Sequence, residues 1–177
     1  MQRVWILAAL FAAGSATAQQ ATTSLAEHEN WSVFVANAEG SVPKQCFIAT
    51  KAEETTVTLD GAPSTARREE PILHVTNTAG VTGPDVVSVD LGYPPDSGKE
   101  LDIRVGGASF TLVAGTGGDA EWAWTTPDDD AQVVEAMRGG AAAVVTTRST
   151  TGKTISDTFS LIGFTAALED ARARCVG

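Results

Sequence analysis

The chain has 177 residues, with 12 Lys and Arg against 22 Asp and Glu and a formal net charge of −10. Charge of that sign repels nucleic acid and anionic lipid headgroups, tolerates a basic partner and keeps an exported protein soluble. Two cysteines and two histidines cannot supply the closely spaced ligands of a zinc site.

Residues 1–18 read as a secretory signal peptide. Arg3 gives the positive start, and Trp5, Ile6, Leu7, Leu10 and Phe11 build an apolar run over 4–13. Ala16 and Ala18 are the small residues that precede cleavage before Gln19. The run is about half the roughly 20 residues of a membrane-spanning helix, and no later segment spans a bilayer. No cysteine follows the cleavage point directly, which argues against a lipid anchor. Residues 19–30 are polar and are expected to form a tail, followed by a single β-rich domain over 31–177.

That domain begins with strand patterns at 31–35, with Trp31, Val33 and Val35 on one face, and at 45–49, with Cys46 and Ile48 on one side. Residues 37–43 between them are expected to form a turn-rich loop. A short strand is expected at 55–59, and the charged stretch 62–70 is expected to be a mobile loop. Alternation resumes at 72–77, where Ile72, His74 and Thr76 face one way and Leu73 and Val75 the other. Strand patterns follow at 86–91, at 101–105 with Asp102 and Arg104 outward, at 110–113 and at 121–125. Pro94 and Pro95 mark a turn at 92–98, because proline cannot continue a ladder.

Two helices fit. The first covers 131–138, capped by Asp128, Asp129 and Asp130 and ended by Gly139 and Gly140, where φ can be positive. The second covers 165–174, with Phe164, Leu168, Ala171 and Cys175 on one face. A hairpin of 142–148 and 154–161 joins them. Many short strands without alternating long helices predict a mainly β fold: an antiparallel β-sandwich or barrel-like domain with two short helices.

Cys46 and Cys175 are the chain's two thiols. In an oxidising compartment such a pair forms a disulfide, here closing a loop of about 130 residues and tethering the second helix. The alternative, a redox pair, ordinarily has Cys-x-x-Cys spacing.

Catalytic signals are sparse. A Ser–His–Asp site would have to join His74 to distant groups such as Ser160 and Asp157, without a Gly-x-Ser-x-Gly elbow. Asp119, Glu121 and Asp128–Asp130 offer hard oxygen ligands for calcium, but no EF-hand spacing, and read as caps and solvated charge. Gly106-Gly107 and the glycines of 115–118 read as hairpin turns rather than phosphate cradles, and Gly152-Lys153-Thr154 lacks the rest of a Walker pattern. Trp122 and Trp124 share a strand face; they fit a core, or a platform for a sugar or peptide. No catalytic residue, metal or cofactor is assigned.

An ordered set of residues carries a family resemblance: Trp31, Cys46, Gly92-Tyr93-Pro94, Phe110, Trp124, Ala136-Met137-Arg138 with Gly140, Asp157-Thr158-Phe159-Ser160-Leu161 with Gly163-Phe164, Ala167-Leu168 and Cys175. The chain resembles the invasion-associated locus B family of exported bacterial proteins over about 31–175. The resemblance implies a periplasmic or envelope-associated protein of Gram-negative bacteria, with links to host-cell entry in some pathogenic members. It brings no catalytic residue, cofactor or substrate. Among the matched residues, Tyr93 and Pro94 are expected to shape a turn, Asp157 to order the last hairpin, and Phe110, Trp124, Phe159, Leu161 and Phe164 to enter the core. The leading expectation is a non-enzymatic binding or interaction domain in the periplasm, peripheral to the outer membrane or secreted, whose partner is a protein, glycan or small ligand of the envelope. The alternatives are a small-ligand carrier and a hydrolase using His74.

Overall fold

Alternation at period two makes most of the chain extended, since successive side chains point to opposite faces of a sheet. The structure, a computed structural model, describes residues 22–37 and 44–175. The leader, its cleavage point and residues 38–43 of the expected loop lie outside them. The strands are β1 (Thr22–His28), β2 (Trp31–Ala36), β3 (Gln45–Lys51), β4 (Glu54–Leu59), β5 (Ala62–Pro63), β6 (Ile72–Thr78), β7 (Val86–Asp90), β8 (Asp102–Val105), β9 (Ala108–Ala114), β10 (Trp122–Thr125), β11 (Ala142–Arg148) and β12 (Lys153–Ser160). The helices are α1 (Asp130–Gly139) and α2 (Phe164–Cys175).

All strands join one open antiparallel sheet in the order β1-β2-β3-β6-β7-β10-β9-β8-β11-β12-β4-β5. The middle strand β9 separates two halves, pairing with β10 on one side and β8 on the other. The halves meet again through the chain: Glu53 N–H donates to Thr158 O at 2.8 Å, and Asn30 N–H to Ile162 O. Residues from both halves share one core, in which Trp31, Ile48, Leu73, Ile103, Phe159 and Phe164 are almost wholly buried. The arrangement is sandwich-like, as the strand spacing predicts.

Helix α2 lies over β2 and β3, and α1 touches β7 and β8. The sequence-predicted face of α2 is the buried one, with Phe164, Leu168, Ala171 and Cys175 inside together with Ala167. Trp31 meets Phe164 edge to face at 5.1 Å and donates its indole N–H to Ser160 O at 3.0 Å. Cys46 and Cys175 form the disulfide, their α-carbons 5.7 Å apart.

Several expectations are corrected. The segment 19–30, expected as a tail, contains β1, which pairs with β2 from Thr22↔Ala36 to His28↔Trp31 across one irregularity between Ser24 and Ala26. Polar composition hid it because an edge strand needs no continuous apolar face. The stretch 62–70, expected to be mobile, is pinned by Arg68, whose Nη1 donates to Asp157 Oδ2 at 2.9 Å and to Leu91 O at 3.0 Å. Asp102, expected outward, is largely buried, with Arg104 Nε 2.8 Å from its carboxylate.

Two expectations about α1 also change. Asp130 is not a solvated cap: it is buried, accepts from Val87 N–H at 3.2 Å and takes the Thr125 hydroxyl, fastening α1 to the sheet. Gly140 ends the helix in extended geometry, φ −88°. It is glycine for space, since a Cβ there would stand 2.7 Å from Val105 Cγ1 and 2.9 Å from Leu161 Cδ1.

Candidate functional site

The helices cover the inner face of the first half-sheet, and the opposite face carries a row of rings. Alternation places Ser32 and Phe34 (β2), Phe47 and Ala49 (β3), Ile72, His74 and Thr76 (β6), Ser88 (β7), and Trp122 and Trp124 (β10) on that outer side. The ladders bring Phe34 opposite Phe47, Ala49 opposite His74, and His74 and Trp124 both opposite Ser88. Successive ring centroids follow at 5.0 Å (Phe34–Phe47), 5.9 Å (Phe47–His74), 5.1 Å (His74–Trp122) and 6.2 Å (Trp122–Trp124). All five rings are partly exposed. Val113, exposed and opposite Trp124 on β9, prolongs the apolar band.

Trp124 was expected in the core. Its neighbours Ala123 and Thr125 face inward instead, so the strand's small residues fill the interior and its tryptophans the outer face. Phe110 packs at the core margin, while Phe159, Leu161 and Phe164 are buried.

Two depressions open on this face. One of about 190 Å³ is lined by Gln45, Phe47, His74, Thr76, Ser88 and Trp122. The other, about 430 Å³, lies beside Ser32, Phe34, Ala49 and Ile72, where the small Ala49 leaves room, and its rim holds Lys51 paired with Glu70 at 2.5 Å. Phe34 on the second and its stacked partner Phe47 on the first make the two depressions neighbours.

His74 sits between rings, and burial pushes its pKa down to about 4, opposed by the charge of Asp90. The imidazole is therefore neutral at pH 7. The residues weighed as a triad stand apart. Among the described residues Asp157 is held by Arg68 and Thr55, Ser160 donates to Asn30, and His74 contacts Phe47 and Trp122. The acidic groups weighed for calcium also have separate partners, Asp129 taking the Thr126 hydroxyl at 2.8 Å and Asp130 facing inward. Among the described residues no group of three or more His, Cys, Asp or Glu is placed to hold a metal.

The second polar cluster joins Tyr93, Thr147, Arg68, Asp157 and Thr55. Tyr93 hydroxyl pairs with Thr147, and the Arg68 guanidinium lies 5.8 Å from the Tyr93 ring centroid. Arg68 and Asp157 are nearly or fully buried, so this cluster is framework rather than open surface. Sequence reasoning singled out Tyr93 and Asp157 but not Arg68, nor the ring row as a whole.

Residues 31–172 match the family described as Invasion associated locus B (IalB) protein. The chain belongs to the invasion-associated locus B family. Its fold is similar to the crystal structure of invasion associated protein B from Bartonella henselae, with a TM-score of 0.55 and 16% identity over 85% of this chain and 96% of that one. At that identity the likeness to the Bartonella protein concerns the fold. No curated protein matches. No helix among the described residues is long and apolar enough to cross a membrane.

Proposed function

We propose that the chain is an exported, periplasmic or envelope-associated binding domain of the IalB type, without catalytic activity, whose binding surface is the ring-lined outer face. One observation carries the reading: the fold buries its inner face under two helices and the second half-sheet, yet leaves Phe34, Phe47, His74, Trp122 and Trp124 partly exposed beside two adjoining depressions. Rings gathered on one open face are the composition of recognition surfaces. Export rests on the leader pattern and on the disulfide, a bond that persists in oxidising compartments. The same surface serves a small-ligand carrier less well, since both depressions are open rather than enclosed. The words 'invasion associated' belong to the name of the Bartonella protein and to the family description.

Two measurements test the proposal. A reporter enzyme active only outside the cytoplasm, fused after residue 22, is expected to be active; an inactive fusion removes export. Hydrogen exchange is then followed with protein, glycan and lipid fractions of the envelope in turn. Slower exchange in β2, β3, β6 and β10 with one fraction supports the surface. Unchanged exchange with all three rejects it.

A further inference from the structure

We propose that the depression between Phe47, His74 and Trp122 is a subsite for a neutral glycan, an uncharged hexose or N-acetylhexosamine oligosaccharide. The inference rests on the outer face being the binding surface and names the ligand class. Its first support is the pairing of rings with hydrogen-bonding groups. Phe47 and Trp122 flank His74 with interplanar angles of 46° and 43°, so the three rings diverge rather than close into one stack. Gln45, Thr76 and Ser88 line the same depression. A pyranose has the matching duality, C–H faces that lie on rings and hydroxyls around its edge.

The second support is that these polar groups are unspent. Among the described residues the side chains of Gln45, Thr76 and Ser88 have no hydrogen bond to another protein group. Ser88 is nonetheless only 5% exposed. An amide and two hydroxyls supply both donors and acceptors, which a hydroxyl-rich ligand satisfies and an alkyl chain does not. The third support is charge. The chain is strongly acidic, but none of the six lining side chains is ionised at neutral pH, because His74 is held neutral there. An anionic sugar or phosphate finds no cation in the subsite. A quaternary ammonium is drawn to rings but leaves three polar groups unanswered. The ring spacing of 5–6 Å along the row is also that of one sugar ring to the next, so a chain of several residues can run from this subsite toward Phe34 and the larger depression.

The test titrates the full mature chain, disulfide intact, with cellotetraose, maltotetraose and chitotetraose. Tryptophan fluorescence and two-dimensional amide NMR give the readout. At least one sugar is expected to shift the Gln45 side-chain amide and the Trp122 indole N–H. Trp122→Ala and Gln45→Ala are each expected to weaken that binding by roughly tenfold or more, with unchanged circular dichroism. His28→Ala, remote from this face, is expected to leave it unaltered. Because Trp122→Ala alters packing, Thr76→Val provides a shape-conserving second variant that removes a hydroxyl, and it too is expected to weaken binding. Three silent sugars at millimolar concentration overturn the glycan assignment. If choline, zwitterionic vesicles or a second copy of the chain perturbs the same strands instead, the assignment falls while the binding face stands. If nothing perturbs them, both fall.

Discussion

Arg68 and Asp157 form an ion pair whose side chains are 6% and 0% exposed. Taking two charges out of water is costly, and only a complete set of partners offsets it. The set is complete here: Thr55 Oγ1 donates to Asp157 at 2.7 Å, and Leu91 O receives a further guanidinium N–H. Removing one partner strands the other. Arg68→Ala is expected to cost about 3–5 kcal/mol, and Arg68→Lys less, because it keeps the charge but loses the planar fork. Urea unfolding of the oxidised variants measures both, and a loss below 1 kcal/mol for Arg68→Ala would show the pair to be dispensable. Arg67 serves as a control, since it is exposed. Nothing local in the sequence separates Arg67 from Arg68; only the fold, which lays that loop beside β12, decides which one is buried.

His74 yields a pH-dependent outcome at the same scale. Its pKa is 6.5 when unfolded and about 4 in the fold, so the unfolded chain binds the proton more readily between those values. Stability is therefore full above pH 6.5 and falls as the pH drops toward 4, by on the order of 3 kcal/mol from this residue. His74→Gln is expected to flatten that limb of the curve. Parallel unfolding midpoints of parent and variant between pH 7.5 and 4 would contradict the burial of the imidazole among its rings.

Edge strand β1 reaches the core through Ala26 and is tied to α2 by a specific contact. His28 Nε2 lies 3.0 Å from Asp170 Oδ2 on α2. Arg174, and then His28, hold the Asp170 carboxyl below its usual range. The corner before α2 comes so close that a Cβ on Gly163 would stand 2.0 Å from His28 O, and Gly163 itself has φ +89°. The two constraints predict different outcomes. His28→Ala is expected to speed amide exchange in Thr22–His28 while leaving β3 and β6 protected, a local opening rather than a global one. Gly163→Ala, strained by both crowding and φ, is expected to lower global stability as well. Equal protection of β1 in the parent and His28→Ala would mean that the ladder to β2 suffices alone. The sequence showed α2 clearly, because its apolar residues recur at helical spacing. It missed β1 because an edge strand paired to β2 on one side carries polar residues with no apolar alternation to mark it, and its further tie to Asp170 lies 142 positions away.

At the scale of the whole molecule, period-two patterning reveals that two sets of residues lie on opposite faces, but not which face is interior. In β6 the inward side is Leu73 and Val75, an apolar pair that names itself. In β10 the larger residues, Trp122 and Trp124, point out, and the smaller Ala123 and Thr125 point in. Hydrophobicity ranks the tryptophans as core, and packing volume overrules it, because Thr125 must reach Asp130 and Val87 O. The fold class and the disulfide were therefore legible, whereas the ring row became visible only once register aligned residues from four separate strands.

The disulfide ties the sheet to the terminal helix. It joins β3 to the end of α2 across 129 positions, and a closed loop of that length restricts the unfolded chain by roughly 4–5 kcal/mol. Noncovalent anchors on α2 are also present: Phe164 against Trp31, Arg172 Nε donating to Asp85 at 3.0 Å, and Lys44 donating to Arg174 O. Reduction is thus expected to lower stability by several kcal/mol without unfolding the protein, and to steepen the urea dependence, because an unlinked unfolded chain exposes more surface. Since α2 lies on the inner side of the sheet, the outer rings are expected to keep their tryptophan fluorescence and any oligosaccharide response after reduction. Unfolding measured with and without reductant, alongside a Cys46→Ser/Cys175→Ser variant, checks this. Loss of the outer-face response in a reduced chain that retains its circular dichroism would mean that the tether reaches through the sheet to order the opposite surface.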